Sequence, residues 1–327
     1  MRVLILTRVW PTLDNPHSGT WVRDQVSALE SLDVDCDVLH VTDGHGIVPY
    51  IHLWRAMRSR LTSDDYDVIH AHYGFTGIVA ATQRAIPTVV TFHGSDVLGR
   101  SFAGPYRRVF GIIEKRLSKL LARRIDHAIV VSPRMQEVLK APRATVAPMG
   151  IDPTRFKRVS RERARSELGL HDSTPIAVFV GDPALKRKRF ELAESAMTLA
   201  RSQLPDAELL PVHGRDHDEV ALYMNAADAM ILTSYVEGSP TVVKEAMACD
   251  LPVITVPVGD VREQLEGVEP SFVLDADASA LATGLLQLLR TPSRSNGRAR
   301  IERYANERIA AIVANIYLEV RTDKTQG

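Results

Sequence analysis

The segment Tyr235-Val-Glu237-Gly-Ser-Pro-Thr-Val-Val-Lys-Glu245-Ala-Met-Ala-Cys-Asp-Leu-Pro252 places two carboxylates around the start of a helix. Gly238 suits a turn with positive φ. Ser239 is a good N-cap and Pro240 a good first helical residue, so the helix should start at Pro240 and end before Pro252. The apolar run Ala229–Leu232 just before it reads as a strand. A helix N-terminus at the end of a parallel strand offers free N–H groups and a positive dipole end, which suits a phosphate. Glu237 sits just outside the helix, within reach of a ligand. Glu245 lies about one and a half turns in, where a carboxylate can accept two neighbouring hydroxyls such as those of a ribose. Taken alone, each glutamate reads equally well as a solvated side chain.

Other residues could serve the same chemistry. Lys186-Arg187-Lys188-Arg189 follows the apolar run Ile176–Val180, where four cations can neutralise a diphosphate leaving group. Without the acidic pair this would be an ordinary solvated charge run. His93, in Thr91-Phe92-His93-Gly94-Ser95-Asp96, ends another apolar run and is placed to touch a ligand. A buried histidine with a structural partner is the plain alternative. Gly19, in Pro16-His17-Ser18-Gly19-Thr20, precedes the first helical pattern. His70-Ala-His72, and His213 with His217 beside Asp216 and Asp218, are pairs that could hold a metal. Neither pair has a third ligand at convincing spacing.

These residues need a scaffold that brings strand ends together. Short apolar strands alternate with helical patterns along the chain. In the first half the strands are Arg2–Thr7, Cys36–Val41, Val68–Ala71, Thr88–Phe92 and Ala128–Val131, with helices over Gly74–Arg84 and 105–124. Near Pro148-Met149-Gly150-Ile151-Asp152 the rhythm breaks, and a charged segment follows over 158–165. The alternation restarts with Ile176–Val180, Glu208–Val212, Ala229–Leu232, Val253–Val256 and Phe272–Leu274. A last helix over about 298–320 aligns Ile301, Ala305, Ile309, Ile312, Ile316 and Val320. The pattern is α/β, with two doubly wound domains carrying parallel sheets. Ligand is expected at the C-terminal strand ends. The junction falls between about 150 and 174, giving domains over 1–160 and 161–300 and a terminal helix and tail over 301–327.

The 327 residues carry 40 basic and 40 acidic side chains, so bulk charge gives no sign of a nucleic-acid binder. The zero conceals a balance of +6 over 1–159 and −6 over 160–327. Two cysteines, Cys36 and Cys249, form neither a disulfide framework nor a zinc set. No apolar stretch approaches the ~20 residues of a membrane span. A cytoplasmic protein is expected. Dinucleotide and P-loop fingerprints are absent.

The Glu237–Pro252 segment resembles the retaining glycosyltransferases of family 4, whose pattern is E-G-x-P-x-x-x-x-E-A-M-A-x-G-x-P-V-I. The match runs almost throughout, with Asp250 where glycine is usual. The resemblance covers nearly the whole chain and is strongest over 176–262. It implies a GT-B fold, two Rossmann-like domains facing across a cleft, with the C-terminal helix returning to the N-terminal domain. It implies transfer of a hexosyl group from a nucleotide-diphosphate sugar, UDP by frequency, to a glycan or lipid-linked acceptor, with no metal and no cofactor besides the donor. Polysaccharide or glycolipid biosynthesis is the implied setting.

By the same resemblance Glu237, Lys188 and His93 serve the donor sugar and catalysis. Glu245 binds the ribose, and the backbone at Ser239, Thr241 and Val242 meets the diphosphate, with Gly19 in a loop approaching donor or acceptor. The family's arginine after Gly181 is replaced by Asp182, so Lys186 or Arg187 stands in for it. Met149 replaces an asparagine. These departures keep one alternative open, a catalytically silent homologue that binds nucleotide sugars. A metal-dependent hydrolase is the other.

Residues 105–124 set Tyr106, Val109, Phe110, Ile113, Leu117, Leu120 and Leu121 at helical spacing beside seven basic residues, Arg107 to Arg124. Such a helix either packs its apolar face and solvates the rest or docks on an anionic membrane at the inner face.

Overall fold

A computed structural model describes residues 1–41, 46–99 and 105–326, with the side chains of 105–108, 325 and 326 outside that description. The chain divides into two compact units, Met1–Gly150 with Asn306–Gly327, and Ile151–Ala305. The first crossing falls at 150/151, ahead of the 160/161 boundary read from the charged segment.

The first unit runs β1 (Arg2–Thr7), α1 (Thr20–Glu30), β2 (Asp35–His40), α2 (Val48–Ser63), β3 (Val68–His72), α3 (Gly74–Ala80), β4 (Thr88–Phe92), α4 (Ser95–Leu98), α5 (Pro105–Leu121), β5 (His127–Val130), α6 (Pro133–Leu139) and β6 (Ala144–Val146). The second runs α7 (Arg161–Leu168), β7 (Ile176–Val180), α8 (Phe190–Arg201), β8 (Glu208–Val212), α9 (His217–Ala226), β9 (Ala229–Leu232), α10 (Thr241–Ala248), β10 (Val253–Thr255), α11 (Val261–Gln264), β11 (Phe272–Val273) and α12 (Ala278–Arg290). The closing helix, α13 (Asn306–Gln326), returns to the first unit.

Both sheets are parallel, ordered β2-β1-β3-β4-β5-β6 and β11-β10-β9-β7-β8. Strand order therefore reverses between β1 and β3, and again between β7 and β9. At such switch points the loops leaving adjacent strands part and leave a crevice. Alternate strand residues face opposite sides. Leu4, Leu6, Ile69 and Val90 pack under α2, α3 and α5, while Val3, Ile5, Val68 and Val89 pack under α1 and α13.

Asp228 ties the second unit together. It is buried and holds Arg165, itself fully buried, at 3.0 Å and Arg161 at 2.7 Å. The same carboxylate accepts the N–H of Ile176 at 2.8 Å. One side chain so anchors α7 and aligns the beginnings of β7 and β9.

Several expected boundaries shift. Helix α3 stops at Ala80, not Arg84, because Gln83 folds back onto Ile86 through two bonds of 2.9 Å. Strand β6 escaped the sequence reading, being three half-buried residues. The last helix starts at Asn306, not 298. Residues Gly297–Arg300 and Glu302–Tyr304 form short 3-10 turns, and Ile301 belongs to the second unit's core. The expected apolar stripe thus spans two units.

Helix α5 presents its apolar residues the other way. Its packed side is Gly111, Glu114, Ser118, Leu121 and Ala122. The cause is close approach to α3, where a Cβ on Gly74 would lie 2.6 Å from Ser118 Oγ and one on Gly77 2.8 Å from Leu121 Cδ2. The two glycines leave room there for Ser118 and Leu121, and the opposite side of α5 stays outward. Of the residues on the expected apolar face, the side chain of Tyr106 lies outside the described residues, as do those of Arg107 and Arg108 on the basic side.

Asp250 explains its departure from the family pattern. Its φ is 53°, the left-handed region where glycine is unstrained and aspartate is tolerated. Its carboxylate accepts the N–H of Arg298 at 2.9 Å. We expect Asp250→Gly to remain within about 1 kcal/mol of the parent, and Asp250→Val to lose about 2 kcal/mol or more through backbone strain. Chemical denaturation of the three proteins measures both.

Candidate active site

The second unit's switch point is built from the loops after β7 and β9. The β7 loop leaves through Gly181, whose φ of 145° is a glycine conformation, with the Lys188 stem 3.5 Å from where a Cβ would lie. Lys186–Lys188 form a 3-10 turn. Two contacts stitch it to the β9 loop: Thr233 Oγ1 donates to the carbonyls of Lys188 and Arg189 at 2.9 Å, and Tyr235 N–H donates to Arg187 O at 2.9 Å. The Arg189 guanidinium lies 4.3 Å above the Tyr235 ring.

This stitching carries Lys188 Nζ to 2.7 Å from Glu237 Oε1, and Arg187 Nη1 to 3.3 Å from the same oxygen. The Lys188 and Glu237 side chains are only 13% and 15% exposed. Burial alone would raise the Glu237 pKa, but Lys188 and Arg187 outweigh it and hold the carboxylate below its usual range. Two cations on one carboxylate leave an excess positive charge. Lys186 is exposed. Asp182 instead caps its own turn by accepting the N–H of Ala184 at 2.9 Å.

The helix start differs from the sequence reading. Pro240 is the capping residue and Thr241 the first helical one, with no side chain bonded to the helix start. Ser239 is not the N-cap: its Oγ accepts from Gln264 Nε2 at 3.1 Å and bonds Asp260, which draws it away from the helix N–H groups. Gly238 is not at positive φ; Gly259 is, at 58°, and a Cβ there would lie 2.8 Å from Gly238 O. The loop carrying Glu237 therefore rests on Gly259. Thr241 and Glu245 are half-buried, and Val242 is buried.

Sequence reading missed the support beneath this helix. Lys244 is fully buried; burial pushes its ammonium down to about 8, against the pull of Asp260 and Glu245. A lysine amid apolar helix positions was the available signal. Burial raises the Asp260 carboxyl, while Lys244, Ser239 and Gln264 oppose that rise.

The first unit gathers histidines at its strand ends. His70 Nδ1 meets Tyr317 OH at 2.6 Å and its Nε2 meets Thr91 Oγ1 at 2.7 Å. His72 Nδ1 meets His93 Nε2 at 3.0 Å, and these rings stack at 5.3 Å. Tyr73, at φ 76°, packs its ring 4.4 Å from His93. Asp96 braces the turn by accepting the N–H groups of His93 at 3.3 Å and Gly94 at 2.9 Å. His93 is the half-buried member of the cluster. Gly19 starts α1 at φ 68°, and a Cβ there would lie 2.4 Å from Val9 C and O, so no other residue fits.

Both ring nitrogens of His70 are bonded to hydroxyls, which leaves it no lone pair for a metal. Among the described residues no three His, Cys, Asp or Glu side chains are grouped to hold one.

Residues 19–155 match the model of Glycosyltransferase Family 4, and residues 177–291 that of Glycosyl transferases group 1. Together these matches support a glycosyltransferase of the GT-B type. A putative teichuronic acid biosynthesis glycosyltransferase, TuaC of Bacillus subtilis, is 28% identical over 87% of this chain and 88% of its own length. D-inositol 3-phosphate glycosyltransferase of Thermobispora bispora is 27% identical over 78% of this chain and 71% of its own. The fold is shared with sucrose-phosphate synthase of Thermosynechococcus elongatus, with a TM-score of 0.82 at 21% identity over 99% and 100% of the two chains. It is also shared with Anabaena HepE in complex with UDP, with a TM-score of 0.71 at 16% identity over 98% and 100%. No helix among the described residues of this glycosyltransferase is long and apolar enough to cross a membrane.

The glycosyltransferase keeps the three clustered histidines His70, His72 and His93 neutral. Burial pushes His72 down to about 3 and carries His70 and His93 well below the usual range, with neighbouring rings adding to the last two. Below about pH 6.5 the unfolded chain binds more protons than the folded one, so stability rises with pH in that range. The contribution is complete above about pH 6.5 and is lost as pH falls, at up to ~1.4 kcal/mol per pH unit for each histidine. Denaturation curves between pH 7.5 and 5 should show this slope, and a shallower one in His72→Gln. A stability independent of pH over that range would contradict the assignment.

Proposed function

We propose that this glycosyltransferase is a retaining enzyme. It takes a hexosyl group from a nucleotide-diphosphate sugar, UDP favoured, to a glycan or lipid-linked acceptor, without a metal cofactor. One observation carries the reading: at the β7/β9 switch point two cations converge on a shielded carboxylate, beside a helix start that no side chain caps. An excess positive charge next to free N–H groups suits a diphosphate. Structures of HepE with UDP and with UDP-glucose, on the same fold, support the donor class. The names of TuaC and of the amylovoran enzyme AmsK of Erwinia amylovora support a polysaccharide setting.

In this reading Lys188, assisted by Arg187, neutralises the departing diphosphate. The backbone at Thr241 and Val242 meets its oxygens, and Ser239 holds the approach to them. Glu245 accepts the ribose hydroxyls. Glu237 faces the donor sugar and, once the diphosphate engages Lys188, is freed from its resting pair. His93 contacts the donor sugar, and the Gly19 loop approaches donor or acceptor. The acceptor hydroxyl attacks from the face the nucleotide leaves, so configuration is kept. The first unit is the acceptor domain and the second the donor domain. Exposed Lys186 has the weakest claim to a role.

Glu237→Gln and Lys188→Ala should each lower turnover by about 100-fold or more, the scale of one lost electrostatic contact at a transition state. Parent-like turnover in both would refute the site. Thermal shift with UDP-, GDP- and ADP-sugars should single out one nucleotide, because a ligand that binds only the folded chain raises its melting temperature. The anomeric configuration of the product, read by proton NMR, decides retention. Activity should survive EDTA. Binding of the donor with no transfer or hydrolysis under any acceptor would favour the catalytically silent alternative.

A further inference from the structure

Ser239-Pro240 is a strong local signal for a helix start, with serine as the N-cap and proline as the first helical residue. The structure overrules it. Pro240 is extended, at ψ 114°, and α10 begins one residue late, at Thr241. A serine cap accepts from the second or third helical N–H. With Ser239 as cap, those would be the N–H groups of Thr241 and Val242. They are the two groups on which a diphosphate at this helix start would depend.

The residues that hold Ser239 away lie on and beside α11 and beneath α10. Gln264 Nε2 donates to Ser239 Oγ at 3.1 Å and to Asp260 Oδ1 at 2.7 Å. The Ser239 hydroxyl also bonds the Asp260 carboxylate. A carboxylate only accepts, so the single proton of the hydroxyl goes to Asp260. Serine is thereby engaged both as donor and as acceptor. Gln264 is fully buried and Asp260 is 6% exposed. A buried carboxylate needs an opposite charge. Lys244, fully buried on α10, supplies it: Lys244 and Asp260 attract one another, and the ammonium is set 5.3 Å from the Tyr304 ring centre. Three buried polar residues thus override a local preference of the chain, a conflict expected where function requires it.

We infer that Asp260, with Gln264 and Lys244, is a positioning residue for the donor: it keeps Ser239 from capping α10 and so leaves the Thr241 and Val242 N–H groups open to a diphosphate. The inference rests on the reading that this helix start receives the donor. Without Asp260, Ser239 returns to the cap that its sequence favours. Its hydroxyl and the phosphate oxygens then compete for the same two N–H groups.

The test uses the full chain. Asp260→Ala combined with Lys244→Met removes both buried charges together, so neither is left unpaired. Amide exchange at Thr241 and Val242, read by NMR without ligand, should slow about fivefold or more, the scale of one serine cap. It should recover when Ser239→Ala is added. Binding of inorganic pyrophosphate, read by calorimetry, should weaken about fivefold in the first variant. With Ser239→Ala added, it should return to within about twofold of Ser239→Ala alone. A merely structural role would weaken binding equally with serine or alanine at 239, and that result would overturn the inference. So would exchange at the two amides that does not respond to the loss of Asp260. Asp260→Asn keeps the shape of the side chain and, should the charge-free variant fail to fold, gives the same comparison with smaller shifts in the same direction. Amides that respond as expected in a parent that binds neither pyrophosphate nor any nucleotide sugar would overturn the donor reading and the positioning role with it, leaving only the withheld cap.

Discussion

Asp228 sets the geometry on which the second unit's site depends. Its carboxylate is shared between Arg165 and the backbone N–H of Ile176, and its own N–H returns to Ile176 O at 2.8 Å. Parallel strands β7 and β9 are thereby aligned from their first residues, with Ala177 opposite Ala229 and Val178 opposite Met230. They end at one edge, so the loops that follow emerge side by side. Thr233 and Tyr235 then stitch those loops together, and the Lys188–Glu237 contact follows. Breaking a buried pair of this kind costs about 3–5 kcal/mol. Here it would also release the register that positions the chemistry.

The first unit uses a different device. Its histidines are arranged by neutral hydrogen bonds rather than ion pairs, and the closing helix α13 contributes Tyr317 to that arrangement. A helix distant in sequence thus fixes the ring of His70. His72 and His93 stack in turn on the adjacent strand ends. Neutral imidazoles can be buried at a cost far below that of charged ones, which is why three can share so small a space.

Much of the fold was legible because parallel strands buried on both faces are continuous apolar runs. The strands Arg2–Thr7, Thr88–Phe92, Ile176–Val180 and Ala229–Leu232 match the reading residue for residue, as does the partly exposed edge strand Glu208–Val212. Two other elements of partial burial were not legible. Strand β6 is half-buried along its length, and α2 leaves Val48, Ile51 and Trp54 exposed beside buried Leu53 and Met57, so neither carries a clean period. The stripe from Ile301 to Val320 misled because one continuous period crosses from the core of one unit into that of the other. At the site, the glutamate spacing and the run of cations were visible. The failure of Ser239 to cap was not, since it depends on Gln264 and Asp260, about twenty residues downstream.

The amino-acid sequence by itself determined the α/β class, the two-part organisation and the chemical identity of the site: a pair of glutamates, a cluster of cations and a histidine after a strand. Those follow from composition and local periodicity, which act over a few residues. Tertiary structure alone decided which cations meet Glu237, which residue fills the left-handed position at Asp250, and which side of α5 is buried. Each of these depends on contacts between residues far apart in the chain. Strand order selects Lys188 and Arg187 over Lys186. The glycines of α3 admit the Ser118 and Leu121 side of α5, leaving its more apolar side outward.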